Sequence, residues 1–341
     1  MKHEIDLSKY QTRTDLITET IKEDTNATSY HKEIEQQNGI TIETLYLTKE
    51  AEEILHKKEG IYKTIFFEDV TDETNQNNVQ QAFEKAIQDI LQKEKIKSDA
   101  TCLVIGLGNR KATPDALGPL TVDQITITRH LYTLGLADET YRNVAAIAPG
   151  VMGTTGIETK DIILGLLQQI KPDFLIAIDA LAAGSIARIH KTIQITNTGI
   201  HPGSGIGNNR QELSKDTIHI PVIAIGIPTV VDAVTIVSNT ISYLFEHLTY
   251  EKEHQNDATL KFITPYQQKK HPQKDNLTQE EKEKVLGQVG MLDETTTKQL
   301  IAEVLMPLGY NLIVTPKEID LLIDKLSQLL AKGLNKTLHQ H

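Results

Sequence analysis

Asp115 and Asp179 stand where side chains could do chemistry. Asp115 lies in Val104-Ile105-Gly106-Leu107-Gly108-Asn109-Arg110-Lys111-Ala112-Thr113-Pro114-Asp115-Ala116-Leu117-Gly118-Pro119, and Asp179 in Phe174-Leu175-Ile176-Ala177-Ile178-Asp179-Ala180-Leu181. An apolar run ending in a carboxylate has the pattern of a buried parallel strand that delivers a functional group at its carboxyl end. In open α/β sheets, ligands bind in the crevice beyond those ends. Two carboxylates in one crevice suit acid–base work on water, because like charges at close range make one group hold its proton. Asp179 follows an unbroken apolar run, and an isolated buried charge is costly. Asp115 follows Thr113 and Pro114, which read as N-cap and first helical residue. Decoration of a helix start is therefore its competing explanation.

Two glycine-rich loops could supply binding groups. In Pro149-Gly150-Val151-Met152-Gly153-Thr154-Thr155-Gly156, the glycines let backbone amides approach a ligand. Gly150, Gly153 and Thr154 are candidates for an oxyanion or peptide-backbone site, against the alternative of a tight connection. In Thr198-Gly199-Ile200-His201-Pro202-Gly203-Ser204-Gly205-Ile206-Gly207-Asn208, His201 could orient a carboxylate or bind a metal, and Ser204 is a further binding candidate. Asn109, after Gly106-Leu107-Gly108, completes the binding set. Those two glycines do not make a dinucleotide site, because the third glycine of that fingerprint would fall at Lys111; a tight turn explains them. Glu158 after Thr155 and Asp232 after Thr229 read as N-cap contacts. There is no His-Glu-x-x-His sequence, and Pro202 spoils the Gly-x-Ser-x-Gly spacing around Ser204. The single cysteine, Cys102, opens a core strand and reads as buried and inert. Carboxylates remain the best catalytic candidates, and no metal or other cofactor is expected.

The elements that must position these residues can be read from composition and periodicity. The 341 residues suffice for one large domain or two ordinary ones, and the net charge of −11 argues against direct nucleic-acid binding. One cysteine suits a reducing compartment. The start, Met1-Lys2-His3-Glu4-Ile5-Asp6, does not read as a signal peptide. No run is long and apolar enough for a membrane helix, so a soluble, cytoplasmic protein is expected. Residues 16–100 read as an N-terminal α+β extension, with strands near 40–47 and 61–67 and a helix at 77–92. Residues 101–250 hold most of the glycines and alternate strands (101–105, 144–148, 174–178, 193–196, 222–226) with helices (157–170, 230–248). Such alternation predicts a three-layer α/β/α core with a mainly parallel sheet. Residues 251–290 read as a polar excursion. Residues 291–341 read as a helical segment packing on the core. Its last helix shows Thr315-Pro316-Lys317-Glu318 as cap, first-turn proline and capping-box glutamate, and an apolar face of Ile319, Leu322, Ile323, Leu326, Leu329 and Leu330.

Taken together, Val104–Pro119, Pro149–Thr159, Asp173–Ala183, Thr198–Gly207 and Pro221–Thr235 resemble the germination proteases of endospore-forming bacteria. So do Asp6-Leu7-Ser8-Lys9-Tyr10 with Arg13-Thr14-Asp15-Leu16, and Pro307-Leu308-Gly309-Tyr310-Asn311-Leu312 with Val314-Thr315-Pro316-Lys317-Glu318. The resemblance implies an endopeptidase of the spore core that degrades small acid-soluble spore proteins at germination. It implies a homotetramer, made as a zymogen that removes its own N-terminal segment, with Asp115 and Asp179 as the catalytic aspartates. Family members cut after an acidic residue and before a hydrophobic one. Thr14-Asp15-Leu16-Ile17 offers such a bond, so residues 1–15 are expected to be a propeptide released between Asp15 and Leu16. A weaker likeness to hydrogenase-maturation endopeptidases implies the same three-layer core and keeps a metal-assisted reaction through Asp115, Asp179 and His201 as the rival enzyme reading. A non-enzymatic anion-binding α/β module is the rival outside enzymology.

Overall fold

The computed structural model describes residues 14–21, 30–138, 140–201, 212–253, 275–305 and 312–339. The chain divides into two compact units. One comprises Arg13–Val230 with Thr315–His341, and the other is built on Val231–Val314.

The first unit holds strands β1 (Tyr30–Gln37), β2 (Ile40–Leu47), β3 (Gly60–Phe66), β4 (Cys102–Gly106), β5 (Val144–Ile147), β6 (Phe174–Ala183) and β7 (Thr192–Thr196). It also holds most of β8 (Val222–Asp232). The order across the sheet is β1-β2-β3-β7-β8-β6-β4-β5. Its helices are α1 (Lys49–Leu55), α2 (Glu73–Lys93), α3 (Leu117–Val122), α4 (Arg129–Thr133), α5 (Met152–Thr155), α6 (Thr159–Ile170) and α7 (Lys215–Ile218), with the last helix of the chain, Ile319–Leu338.

Alternation along the central strands sorts side chains into two apolar layers. Cys102 and Val104 of β4 and Phe174, Ile176 and Ile178 of β6 pack in one layer with Val79, Phe83 and Ile87 of α2 and Ile323, Leu326 and Leu330 of the last helix. Leu103, Ile105, Leu175 and Ala177 face the other way and pack with Ile163 of α6. This is the three-layer α/β/α arrangement expected from the strand–helix alternation.

The α2 helix starts at Asp72, whose carboxylate accepts a hydrogen bond from the Asn75 amide at 2.8 Å. It packs on the last helix, and a β-carbon at Gly333 would come within 2.6 Å of the Phe83 ring. Only glycine permits that approach.

Three expectations need correction. The sheet is mixed rather than mainly parallel. β4 pairs in parallel with β5 and β6, but β1–β2, β2–β3, β3–β7 and β7–β8 are antiparallel. The N-terminal extension accounts for three of these pairings, because β1, β2 and β3 join the same sheet, whereas the fourth, β7–β8, lies within residues 101–250. β1 and β2 turn at Asn38-Gly39, both at positive φ (51° and 76°), the residue pair a two-residue hairpin favours. Next, β6 and β8 run past the expected ends, and Asp179 lies inside β6 rather than at its tip. Third, Thr315 does not cap the last helix. Its hydroxyl donates to the Thr229 carbonyl at 2.9 Å, and the helix begins at Ile319 with no side-chain cap.

The second unit contains α8 (Ala233–Glu253), α9 (Gln279–Leu286), α10 (Glu294–Leu305) and β9 (Ile313–Val314); the last helix is therefore α11. β9 pairs antiparallel with Val231 and Asp232, and α8 packs on α10. The Asp232 carboxylate accepts from the Thr235 amide at 2.7 Å, so Asp232 is itself the cap of α8. No helix among the described residues is long and apolar enough to cross a membrane.

Candidate active site

Asp179 is 6 % exposed and its Oδ1 accepts from the Ala180 amide at 2.9 Å. It shares its face of β6 with Leu175 and Ala177, away from α2 and α11. The neighbouring strand β4 pairs up to Gly106 opposite Ile178, and the Leu107 amide then donates to the Ile178 carbonyl at 2.8 Å. The chain leaving β4 therefore turns directly beside Asp179.

That turn carries Asp115. A short 3-10 helix, Thr113–Asp115, ends at it and packs against β6. Asp115 is not the second residue of an α-helix capped by Thr113, as expected; α3 begins at Leu117, and the 3-10 turn has no side-chain cap. Instead the Asn109 amide donates to both the carboxylate (2.8 Å) and the carbonyl (3.0 Å) of Asp115. The Thr229 hydroxyl holds the Pro114 carbonyl at 2.7 Å, tying the turn to β8.

Three glycines make this closeness sterically possible. A β-carbon on Gly106 would sit 2.3 Å from the Gly118 carbonyl oxygen. One on Gly118 would sit 2.4 Å and 2.5 Å from the carbonyls of Leu107 and Ile178. Gly108, at φ +110°, would bring a β-carbon 2.1 Å from the Asp115 carbonyl and 3.0 Å from its carboxylate. The Gly-x-Gly pair thus serves a tight turn that presses the Asp115 segment onto the strand of Asp179.

The other expected residues divide. Asn109 is in the site through its backbone. Gly150 adopts φ +77° and its carbonyl accepts from the Thr159 hydroxyl at 3.2 Å. Thr154 turns its hydroxyl onto the Val151 carbonyl at 2.9 Å, and a β-carbon at Gly153 would meet nothing within 4 Å. Glu158 is the N-cap position of α6 but makes no side-chain cap, while Thr155 bonds locally to Val151 and Ile157. His201 is exposed, beyond a bridge between Ile200 and Leu213. Ser204 lies outside the described residues. Cys102 is buried, and burial pushes its thiol up. No group of three or more His, Cys, Asp or Glu among the described residues has the geometry of a metal site.

The segment around Asp15 docks against the strand that carries Asp179. The Asp15 amide donates to the Ala182 carbonyl (3.1 Å), and the Ala182 amide donates to the Asp15 carboxylate (2.8 Å). Leu16 and Ile17 are both 0 % exposed, and Ile17 packs with Leu45, Leu47 and Tyr62. Glu19 accepts from the Gly184 amide at 2.6 Å and from the Thr14 hydroxyl. Lys57 and Gln194, which no local motif marks, reach the same segment. Lys57 Nζ and Gln194 Nε2 each donate to the Asp15 carbonyl at 3.2 Å, and Gln194 Oε1 accepts from the Ile17 amide at 2.7 Å. Burial lowers the Lys57 pKa, and the nearby carboxylates of Asp15 and Glu19 partly oppose that shift.

A family model described as germination protease matches residues 8–341. A germination protease of Bacillus pumilus is 48% identical over 99% of this chain and 96% of its own length. That of Bacillus subtilis is 47% identical with the same coverage. That of a Geobacillus strain is 45% identical over 100% of this chain and 97% of its own. Among solved structures, a nickel–iron hydrogenase maturation protease of Thermococcus kodakarensis aligns with 42% of this chain and 80% of its own. Its identity is 18% and its TM-score 0.28, a likeness too weak to bear on function.

Proposed function

The chain belongs to the germination protease family and is an endopeptidase of that family; on that premise we propose that Asp115 and Asp179 are its catalytic pair. One carboxylate takes a proton from water as it attacks the peptide carbonyl. The other gives a proton to the departing amine. In this reading the pair divides the work, one carboxylate serving as base and the other as acid. The observation that supports this reading is the packing of the Asp115 turn onto β6 beside buried Asp179, made possible by Gly106, Gly108 and Gly118.

The substrates in this reading are small acid-soluble spore proteins in the spore core, cut after Glu or Asp and before a hydrophobic residue. Asn109, Gly150, Gly153, Thr154, His201 and Ser204 contact the substrate backbone. The working form is a homotetramer, and the chain removes residues 1–15 itself. The test is incubation of the purified chain with a small acid-soluble spore protein, with and without chelator, and mapping of the cut bonds by mass spectrometry. Cuts after acidic residues, unaffected by chelator, are expected. Activity lost with chelator and restored by added metal would replace the aspartate pair with the metal-assisted reading.

A further inference from the structure

We propose that Lys57 and Gln194 hold and polarise the Asp15 carbonyl for cleavage of the Asp15–Leu16 bond, with the Ala182 amide recognising the acidic side chain ahead of it. This rests on the reading that the chain cleaves itself at that bond.

The geometry around the bond is that of a reader of acid-then-apolar sequence. The acidic side chain is met by a main-chain donor, Ala182 N at 2.8 Å. The carbonyl that would become the oxyanion receives two donors, Lys57 Nζ and Gln194 Nε2, both at 3.2 Å. The residue after the bond, Leu16, is 0 % exposed. Gln194 also accepts from the Ile17 amide at 2.7 Å, so one side-chain amide clamps the backbone on both sides of Leu16. Two donors on a carbonyl in a partly buried site stabilise developing negative charge more than they would in open solvent.

The sheet places this clamp on the side of Asp179. Ile193 and Ile195 of β7 lie in the α2–α11 layer with Ile178 of β6. Gln194 and Asp179 alternate with them and therefore face the opposite side.

The step balances with water alone. Water oxygen bonds to the Asp15 carbonyl carbon and its proton passes to the basic aspartate. The C=O electron pair moves to oxygen, facing Lys57 and Gln194. Collapse breaks the C–N bond, and Leu16 nitrogen keeps that pair and takes a proton from the acidic aspartate. The products are a new carboxyl at Asp15 and a new amine at Leu16.

The test uses the full chain and follows the Leu16 N-terminus by mass spectrometry under mildly acidic conditions. Lys57→Met removes one donor. Gln194→Glu removes the other while keeping the acceptor for Ile17 and the side-chain shape. Each is expected to slow formation of the Leu16 terminus by about 10²-fold, the cost of losing one oxyanion donor, with little change in melting temperature. Lys57→Arg is expected to recover most of the rate, which a purely packing role for the lysine would not require. Wild-type rates in folded Lys57→Met and Gln194→Glu would overturn the inference. So would faster cleavage, which would make the pair a restraint. A wild-type chain that degrades spore protein but never yields a Leu16 terminus would remove the self-cleavage reading, and this inference with it.

Discussion

Gly108→Ala probes whether the turn after β4 exists to place Asp115. The added β-carbon would lie 2.1 Å from the Asp115 carbonyl oxygen, 3.2 Å from its carbonyl carbon and 3.0 Å from its carboxylate oxygen. Reaching ordinary contact with the carbonyl oxygen requires a displacement of about 1 Å. The obstacle is backbone, so it cannot rotate away. The backbone at φ +110° adds strain of about 1–3 kcal/mol for a residue with a side chain. The Asn109 amide, which grips Asp115 twice, moves with the turn. Misplacing a catalytic group by about 1 Å costs on the order of 10² in rate. The expected outcome is a kcat on a spore-protein substrate about 100-fold down, with a melting temperature lowered by only a few degrees. Gly165→Ala is the control. It is an exposed position of helix α6, a β-carbon there meets nothing within 4 Å, and alanine should raise helix stability by up to about 1 kcal/mol. Near-wild-type turnover in a folded Gly108→Ala chain would refute the positioning role of the turn.

Other consequences are testable with stability and activity measurements. Thr229→Val removes the donor to the Pro114 carbonyl and should cost about 1–3 kcal/mol in denaturant titrations, with a lower kcat and little change in KM; an unchanged kcat would detach Thr229 from the site. Gly333→Ala drives a β-carbon to within 2.6 Å of the Phe83 ring and should destabilise by about 1–3 kcal/mol while leaving kcat unchanged; unaltered stability would mean that α11 can move off α2. His190 is 4 % exposed, and burial lowers its pKa from 6.5 to about 4. Between those values the unfolded chain binds more protons, so this contribution to stability is present above about pH 6.5 and is lost as pH falls towards 4, by up to about 3 kcal/mol. His190→Asn, which tolerates the left-handed backbone at φ 56°, should flatten that part of the pH–stability curve; an equally steep curve would assign the acid sensitivity to other groups.

Parts of this structure are legible in the sequence because local pattern and tertiary role coincide there. β4 and β6 are buried on both faces and read as unbroken apolar runs, and α2, α6 and α11 each show an apolar stripe that the structure buries wholly or in part. β1 left no such trace. It is an exposed edge strand, Tyr30-His31-Lys32-Glu33-Ile34-Glu35-Gln36-Gln37, held by pairing with β2 rather than by burial. The one local sign of it is Asn38-Gly39, the residue pair a two-residue hairpin favours, and the expectation of a mainly parallel sheet did not use it. At the site, Asp115 and Asp179 stand out because carboxylates interrupt apolar and glycine-rich context. Lys57 and Gln194 do not, because an exposed-looking lysine and an alternating strand glutamine become notable only once folding brings them to Asp15. The cap assignments at Thr155 and Thr315 failed for a related reason: both hydroxyls bond to main-chain carbonyls instead of helix amides.

The central claim is that Asp115 and Asp179 carry out hydrolysis together. The most direct measurement is the rate at which Asp115→Asn and Asp179→Asn variants, each shown to be folded by its melting curve, cleave a small acid-soluble spore protein. Neither isostere can exchange a proton, so both should lose cleavage to background and the double variant should be no slower than either alone. Cleavage at a near-wild-type rate by either single variant would contradict the assignment.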